Sequence, residues 1–104
     1  MNSKRKGSAA EREVCDIFKA AGYDSHRNNQ MFIGGFFNPD ISVTGFDQYH
    51  FEIKRVERLN ISEAMRQAQS DCGNRIPAVI HRRSREPWLI TMDLNDWLVQ
   101  NEKS

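Results

Sequence analysis

Two short alternating runs on either side of a glycine-containing turn constrain this chain more than any other feature. Asp40-Ile41-Ser42-Val43-Thr44 places Ile41 and Val43 on one side, and the run from Tyr49 to Arg55 does the same with Phe51 and Ile53. Successive strand side chains point to opposite faces, so each run reads as a strand with one apolar face. Gly45-Phe46-Asp47 between them reads as a hairpin loop. If both apolar sets enter the same core, the numbers of facing residues must sum to an even number. Asp40 then lies opposite Glu52 or Lys54, on the face away from that core. Patterning alone therefore gathers Asp40, Glu52 and Lys54, and an even-length loop without a bulge would disperse them.

Such a cluster has chemical meaning. Two carboxylates can converge on a divalent cation, which neutralises a phosphate and lowers the pKa of a bound water. An ammonium group held beside them can orient that water or stabilise developing charge. The plainer readings are a turn aspartate in Asn38-Pro39-Asp40 and an exposed Glu52–Lys54 ion pair of ~0–1 kcal/mol. Phe51 and Ile53 argue against the second, because they anchor the strand in the core. The occurrence of both features at this spacing favours chemistry.

The remaining segments supply a framework. The spacing predicts a helix from Ser8 to about Ala21 with a stripe of Ala10, Val14, Ile17, Phe18 and Ala21, closed by Gly22. Ser8-Ala9-Ala10-Glu11 fits a capping box at its start. Tyr23 to Arg27 reads as a short strand, and Asn28 to Asn38, with Gly34-Gly35, as a mobile loop. A second helix is expected over Ser62–Cys72, with Ile61, Met65, Ala68 and Cys72 apolar and Gly73 closing it. Strands follow at Ile76–His81 and Trp88–Met92. Asp93 to Gln100, with Leu94, Trp97 and Leu98 on one side, reads as a short helix. The order αβββαββα predicts an α/β fold with a mixed sheet flanked by helices.

A chain of 104 residues, 38% hydrophobic, is expected to form one domain over 1–104. Its mean hydropathy of -0.71 suits a soluble protein. No apolar run approaches the ~20 residues of a membrane span, and no cleavable signal pattern opens it, so the expectation is cytoplasmic, without a membrane partner. The two cysteines, Cys15 and Cys72, read as small buried hydrophobes in a reducing compartment. Neither they nor His26, His50 and His81 show zinc-ligand spacing. A net charge of +1 conceals basic clusters at Lys4-Arg5-Lys6, at Lys54-Arg55 with Arg58, and at Arg82-Arg83 with Arg85. Catalytic acids that offset phosphate-binding cations would produce such a sum.

Pro39-Asp40 followed by Glu52-Ile53-Lys54 resembles the signature of the PD-(D/E)XK nuclease superfamily. Arg5-Lys6-Gly7-Ser8-Ala9-Ala10-Glu11-Arg12-Glu13-Val14 is similar to the first helix of its archaeal-type Holliday junction resolvases. The two blocks stand in the expected order and cover roughly positions 4 to 56. The resemblance implies a restriction-endonuclease-like core and Mg²⁺-dependent DNA hydrolysis, with Mn²⁺ able to substitute. It implies metal binding by Asp40, Glu52 and the backbone carbonyl of Ile53, with Glu11 completing the pocket. Lys54 would approach the scissile phosphate. Arg12 and Arg27 match positions that contact the DNA backbone or tune the site; Lys4, Lys6 and Arg55 join them from their place in the basic clusters. Gln69 matches an accessory polar position, and His50 shares the active face.

A resolvase acting on a four-way junction requires two active sites, hence a homodimer. The small size suits a bacterial or phage-infected cell. Another nuclease of the fold (nicking, flap or restriction-like) and a non-catalytic nucleic-acid-binding module are the alternatives. Asn28–Asn38 departs from compact resolvases in being longer and more aromatic, with Met31, Phe32, Phe36 and Phe37. It reads either as a stacking wedge, at ~1–3 kcal/mol per stacked base, or as a dimer contact.

Overall fold

A computed structural model describes the backbone of residues 3–29, 32–33 and 35–102, and the side chains of residues 7–29 and 35–102. The elements are α1 (Ser3–Ala20), β1 (Ser25–Arg27), β2 (Phe32–Ile33), β3 (Phe36–Phe37), β4 (Ile41–Val43), β5 (Tyr49–Arg55), α2 (Ile61–Asp71), β6 (Ile76–Arg82), β7 (Leu89–Met92) and α3 (Leu94–Gln100). β1, β4, β5, β6 and β7 lie side by side in that order. All neighbours are antiparallel except β5 and β6, which are parallel. A parallel pair needs a crossover, and α2 supplies it. The five-stranded sheet and its helices reproduce the αβββαββα order, with β2 and β3 inserted as a separate ribbon.

The central strands are buried on both faces, as parallel strands usually are. On one face Ala10, Val14 and Cys15 of α1 pack against Ile41, Val43, Phe51, Ile53, Ala78 and Ile80. On the other, Ala64 and Ala68 of α2 cover Val79, flanked by Leu59, Ile61 and Met65. Pro77 is tolerated in β6 for a geometric reason. The Ile76 amide bonds the Gln48 carbonyl of the β5 side, so the next amide position points toward β7. β7 pairs no further than Ala78↔Met92, and the missing Pro77 donor therefore leaves no gap in the ladder.

α1 begins at Ser3, five residues before the expected start, so the Ser8–Glu11 capping box does not form. Lys4-Arg5-Lys6 are good helix formers and nothing there halts the helix. Its buried face is also turned relative to the expected stripe: Cys15 is buried, whereas Ile17 is 49% exposed and Ala21 is exposed. Two contacts hold that rotation. The Ser25 hydroxyl of β1 donates to the Cys15 carbonyl at 2.8 Å, and Phe18 sits among Tyr23, Phe46 and Phe51. The helix ends as Gly22 predicted. The Gly22 amide bonds Lys19 O and the Tyr23 amide bonds Phe18 O, while Gly22 takes φ +97°. This is a Schellman closure, with the Phe18–Tyr23 ring contact as its apolar complement.

The expected mobile loop is instead partly ordered. β2 and β3 pair in register, Phe32 with Phe37 and Ile33 with Phe36. Apolar pairs on either side of Gly34-Gly35 carry a hairpin signal that outweighs the loop reading. Phe36 packs against the end of α2, where a Cβ added to Gly73 would meet its ring at 3.0 Å. Met31 and the Phe32 side chain lie outside the described residues. α2 starts one residue early because Asn60 caps it, accepting from the Glu63 amide at 3.1 Å. Asp93 likewise caps α3. The expected apolar side of α3 stays open, with Leu94 68% and Trp97 49% exposed. Among the described residues no helix is long and apolar enough to cross a membrane.

Gly22 gives a clean test of the α1 closure, because an added Cβ there would meet nothing within 4 Å. Gly22→Ala should destabilise the fold by about 1–2 kcal/mol through backbone strain alone. Urea unfolding should show a lower midpoint with an unchanged slope.

Candidate active site

β4 pairs with β5 through Ile41↔Phe51. The residue numbers sum to an even value, as the patterning required, and Asp40 directly precedes the paired residue. β4 ends there. The Asp40 amide still bonds Phe51 O at 2.9 Å, but the Ile53 amide donates to the Asp40 carboxylate, Oδ2, at 2.8 Å. A residue in a strand directs its N–H and C=O to the same side. The Ile53 carbonyl therefore faces the gap that Asp40 occupies. Asn28 secures the approach to that gap. Its side-chain nitrogen donates to Pro39 O at 3.0 Å and to the Ser42 hydroxyl at 2.8 Å, and its amide bonds Asp40 O. A loop asparagine carries no sequence signal for this work.

Asp40 and Glu52 are both buried, at 6% and 8% exposure. The pattern placed them on the face opposite the α1 core, which the structure shows to be covered in its turn. Glu52 neighbours Val79 in register, and Val79 lies beneath α2. Burial, the Glu52 charge and a shared side-chain hydrogen bond with Glu52 raise the Asp40 carboxyl to about 7; Glu11 adds to the rise and the Ile53 amide opposes it. Burial and the neighbouring Glu52 charge thus favour the protonated form of Asp40, the usual result when like charges share a site. His50, fully buried, places Nε2 2.8 Å from Glu52 Oε1. Lys54 is half-buried two residues beyond Glu52, on the same face of β5.

Glu11 reaches this region from α1, close enough for its charge to raise Asp40. Its Oε1 accepts from Arg27 Nε at 3.0 Å, and Arg27 Nη2 also donates to the Ser8 hydroxyl at 2.9 Å. Ser8 thus bonds Arg27 in the middle of the helix. Glu13, two positions on, does different work that the sequence reading missed. Arg82 Nη2 lies 3.0 and 3.2 Å from its two oxygens, Trp88 Nε1 donates to it at 2.9 Å, and Arg55 Nη1 stands at 4.0 Å. Burial pushes Glu13 up, but the Trp88 and Arg82 hydrogen bonds and the two arginine charges leave it below its ordinary value. The β5–β6 register sets Arg55 beside Arg82, and Glu13 is the acid that meets both; no local sequence signal announces it.

The other expected contacts are dispersed. Arg12 is exposed on α1. Arg27 and Arg55 are engaged with Glu11 and Glu13 as described. The Lys4 and Lys6 side chains lie outside the described residues. Gln69 is exposed on α2, and its carbonyl, not its side chain, accepts from Cys72 Sγ. Among the described residues no three His, Cys, Asp or Glu side chains close into a metal cage. The donor set is smaller: two carboxylates and a backbone carbonyl, all hard oxygens. Mg²⁺ accepts few protein ligands and keeps several waters, so these residues fit it. A bound cation would favour the ionised form of Asp40 instead.

The raised Asp40 carboxyl makes metal-free stability depend on pH. Between the ordinary 3.8 and about 7 the folded Asp40 retains a proton that the unfolded chain has released. Its contribution to stability therefore falls as pH rises through that window. Asp40→Asn removes the dependence. In chelator at about pH 8 it should melt above the parent protein, with roughly 4–8 °C for each kcal/mol relieved. The gap should close toward about pH 4. Parallel melting curves across the window would show that Asp40 is not the group responsible.

No family model matches the sequence, and no curated protein matches it. Among solved structures it is similar to Hjc of Archaeoglobus fulgidus, a Holliday junction resolvase from an archaeal hyperthermophile. The superposition has a TM-score of 0.58 at 18% identity and covers 83% of this chain and 76% of that one. The five-stranded mixed sheet with its helices is thus the fold of an archaeal Holliday junction resolvase.

Proposed function

We propose that this chain is a Mg²⁺-dependent DNA endonuclease that cleaves branched DNA, most specifically the four-way junction. The observation that carries the proposal is the buried Asp40–Glu52 pair, fixed by the Ile53 amide and followed on the same face by Lys54. Two coupled carboxylates beside an ammonium, at a gap where a strand ends, suit a cation and a phosphate. The resolvase fold supports the choice of substrate.

In this reading Asp40, Glu52 and the Ile53 carbonyl hold the metal, which neutralises the scissile phosphate and acidifies water when bound. The Ile53 amide keeps Asp40 aligned without rotamer search. Lys54 places its ammonium against a non-bridging phosphate oxygen or the attacking water. The water adds to phosphorus as the bond to the leaving sugar oxygen breaks, and positive charge at Lys54 favours that charge redistribution. Glu11 borders the site and is held by Arg27, whose guanidinium is also within reach of an incoming phosphate. Exposed Arg12 on α1 contacts the backbone further out. Cutting both strands of a junction symmetrically calls for two such sites in a homodimer.

Labelled four-way junction, flap and plain duplex, incubated with and without Mg²⁺, test the proposal. Junction cleavage that requires Mg²⁺ is the expected result; equal cutting of plain duplex would point to a different nuclease of the fold. Asp40→Asn and Glu52→Gln should each abolish cleavage in folded protein. Glu11→Gln should do so with a stability change of only ~0–1 kcal/mol, because its ion pair is partly exposed.

Binding should separate from chemistry. Arg12→Ala should weaken binding to every sequence and flatten the plot of log affinity against log salt by about one unit. Asp40→Asn should leave that slope alone.

A further inference from the structure

Of the fully buried side chains, His50 is the one whose presence packing does not explain. It is 0% exposed, lies on the same face of β5 as Glu52, and is flanked in register by Pro77 of β6. The Ile41↔Phe51 pairing places Ser42 of β4 on its other side. Nε2 sits 2.8 Å from Glu52 Oε1, while Nδ1 has no hydrogen-bond partner among the described residues. An apolar side chain of similar volume would fill this position without burying an unpartnered nitrogen. The one side-chain polar contact His50 makes among the described residues is therefore the reason for an imidazole here. Because a carboxylate oxygen accepts, the shared hydrogen belongs on Nε2.

We propose that His50 is a positioning residue for Glu52. Its Nε2–H occupies Oε1 and arrests rotation of the carboxylate, so that Glu52 is presented to the gap shared with Asp40 in one orientation. His50 does not reach that gap itself; it acts through Glu52. Ligating carboxylates are commonly held by such outer hydrogen bonds, and their loss weakens metal affinity or activity by about 10–100-fold. The role rests on the reading of Asp40 and Glu52 as metal ligands, and Mn²⁺ binding without DNA tests it apart from any nuclease activity.

The experiment titrates Mn²⁺ into the full chain by calorimetry, for the parent protein and for His50→Leu, His50→Gln and His50→Asn. His50→Leu should raise the Mn²⁺ dissociation constant by about 10–100-fold. His50→Gln, whose amide can donate from nearly the same reach, should keep most of the affinity, and the shorter His50→Asn should not. In cleavage assays the Mg²⁺ concentration for half-maximal rate should rise in His50→Leu, while the rate at saturating Mg²⁺ approaches that of the parent. A folded His50→Leu that binds Mn²⁺ as tightly as the parent overturns the role and leaves the nuclease reading standing. If the leucine variant does not fold, equal affinities in the glutamine and asparagine variants overturn it instead. A parent protein that binds no Mn²⁺ overturns both. Mn²⁺ binding that responds to His50 without any DNA cleavage supports the positioning role and overturns the nuclease reading alone.

Discussion

Where β4 stops pairing with β5, the Ile53 amide turns from a backbone carbonyl to the Asp40 carboxylate 2.8 Å away. The geometry of the site follows from this substitution. It keeps a central-strand donor satisfied at the point where the ladder opens, which a buried amide requires. It holds Asp40 beside Glu52 without help from a long side chain. It also leaves the Ile53 carbonyl facing the same opening. A strand end that would otherwise be a defect in the sheet becomes a group of oxygens, and Asn28 braces the segment beside it through Pro39 O, Ser42 and Asp40 O.

Burying two acids together opposes folding, and the surrounding contacts hold the arrangement in place. α1 contributes at two levels, through glutamates two positions apart. Helical geometry turns Glu11 and Glu13 in different directions, so one can border the carboxylate pair while the other joins Arg82, Arg55 and Trp88. The second group ties α1 to β5, β6 and the segment leading into β7. Arg82 also lies over the Trp88 ring, 5.2 Å from its centre, which orders two of the three partners of Glu13. The helix that carries Glu11 to the site is thereby braced by a residue outside it.

Much of this was legible from alternation. The parity of Ile41 and Phe51 needed only a period of two and the assumption of a shared core, and β5 appeared at its predicted bounds, Tyr49–Arg55. The Gly22 closure was legible because a left-handed residue at a helix end has few alternatives. What escaped was of two kinds. Local signals competed where Ser8 looked like a cap although Lys4-Arg5-Lys6 continue the helix, and where Gly34-Gly35 looked like a loop although flanking apolar residues pair. Long-range contacts left no local mark at all: Glu13 meets partners far along the chain at Arg82 and Trp88. The covering of the acid face by α2 was likewise invisible, because Ile61, Met65, Ala68 and Cys72 read as one side of a helix without naming the surface they would cover.

β5 shows why a single strand can serve both core and chemistry. Phe51 and Ile53 enter the α1 core, while His50, Glu52 and Lys54 take the other face in sequence. Each polar residue is therefore flanked by residues that cannot move without disturbing the core, so its position is set by packing it does not take part in. The three polar positions also grade from sealed to accessible: His50 is fully buried, Glu52 nearly so, and Lys54 half-buried. The proposed roles suit this order, with the orienting group at the sealed end and the phosphate-facing group at the open end. The strand direction orders the residues along that gradient, from the interior at His50 to the surface at Lys54.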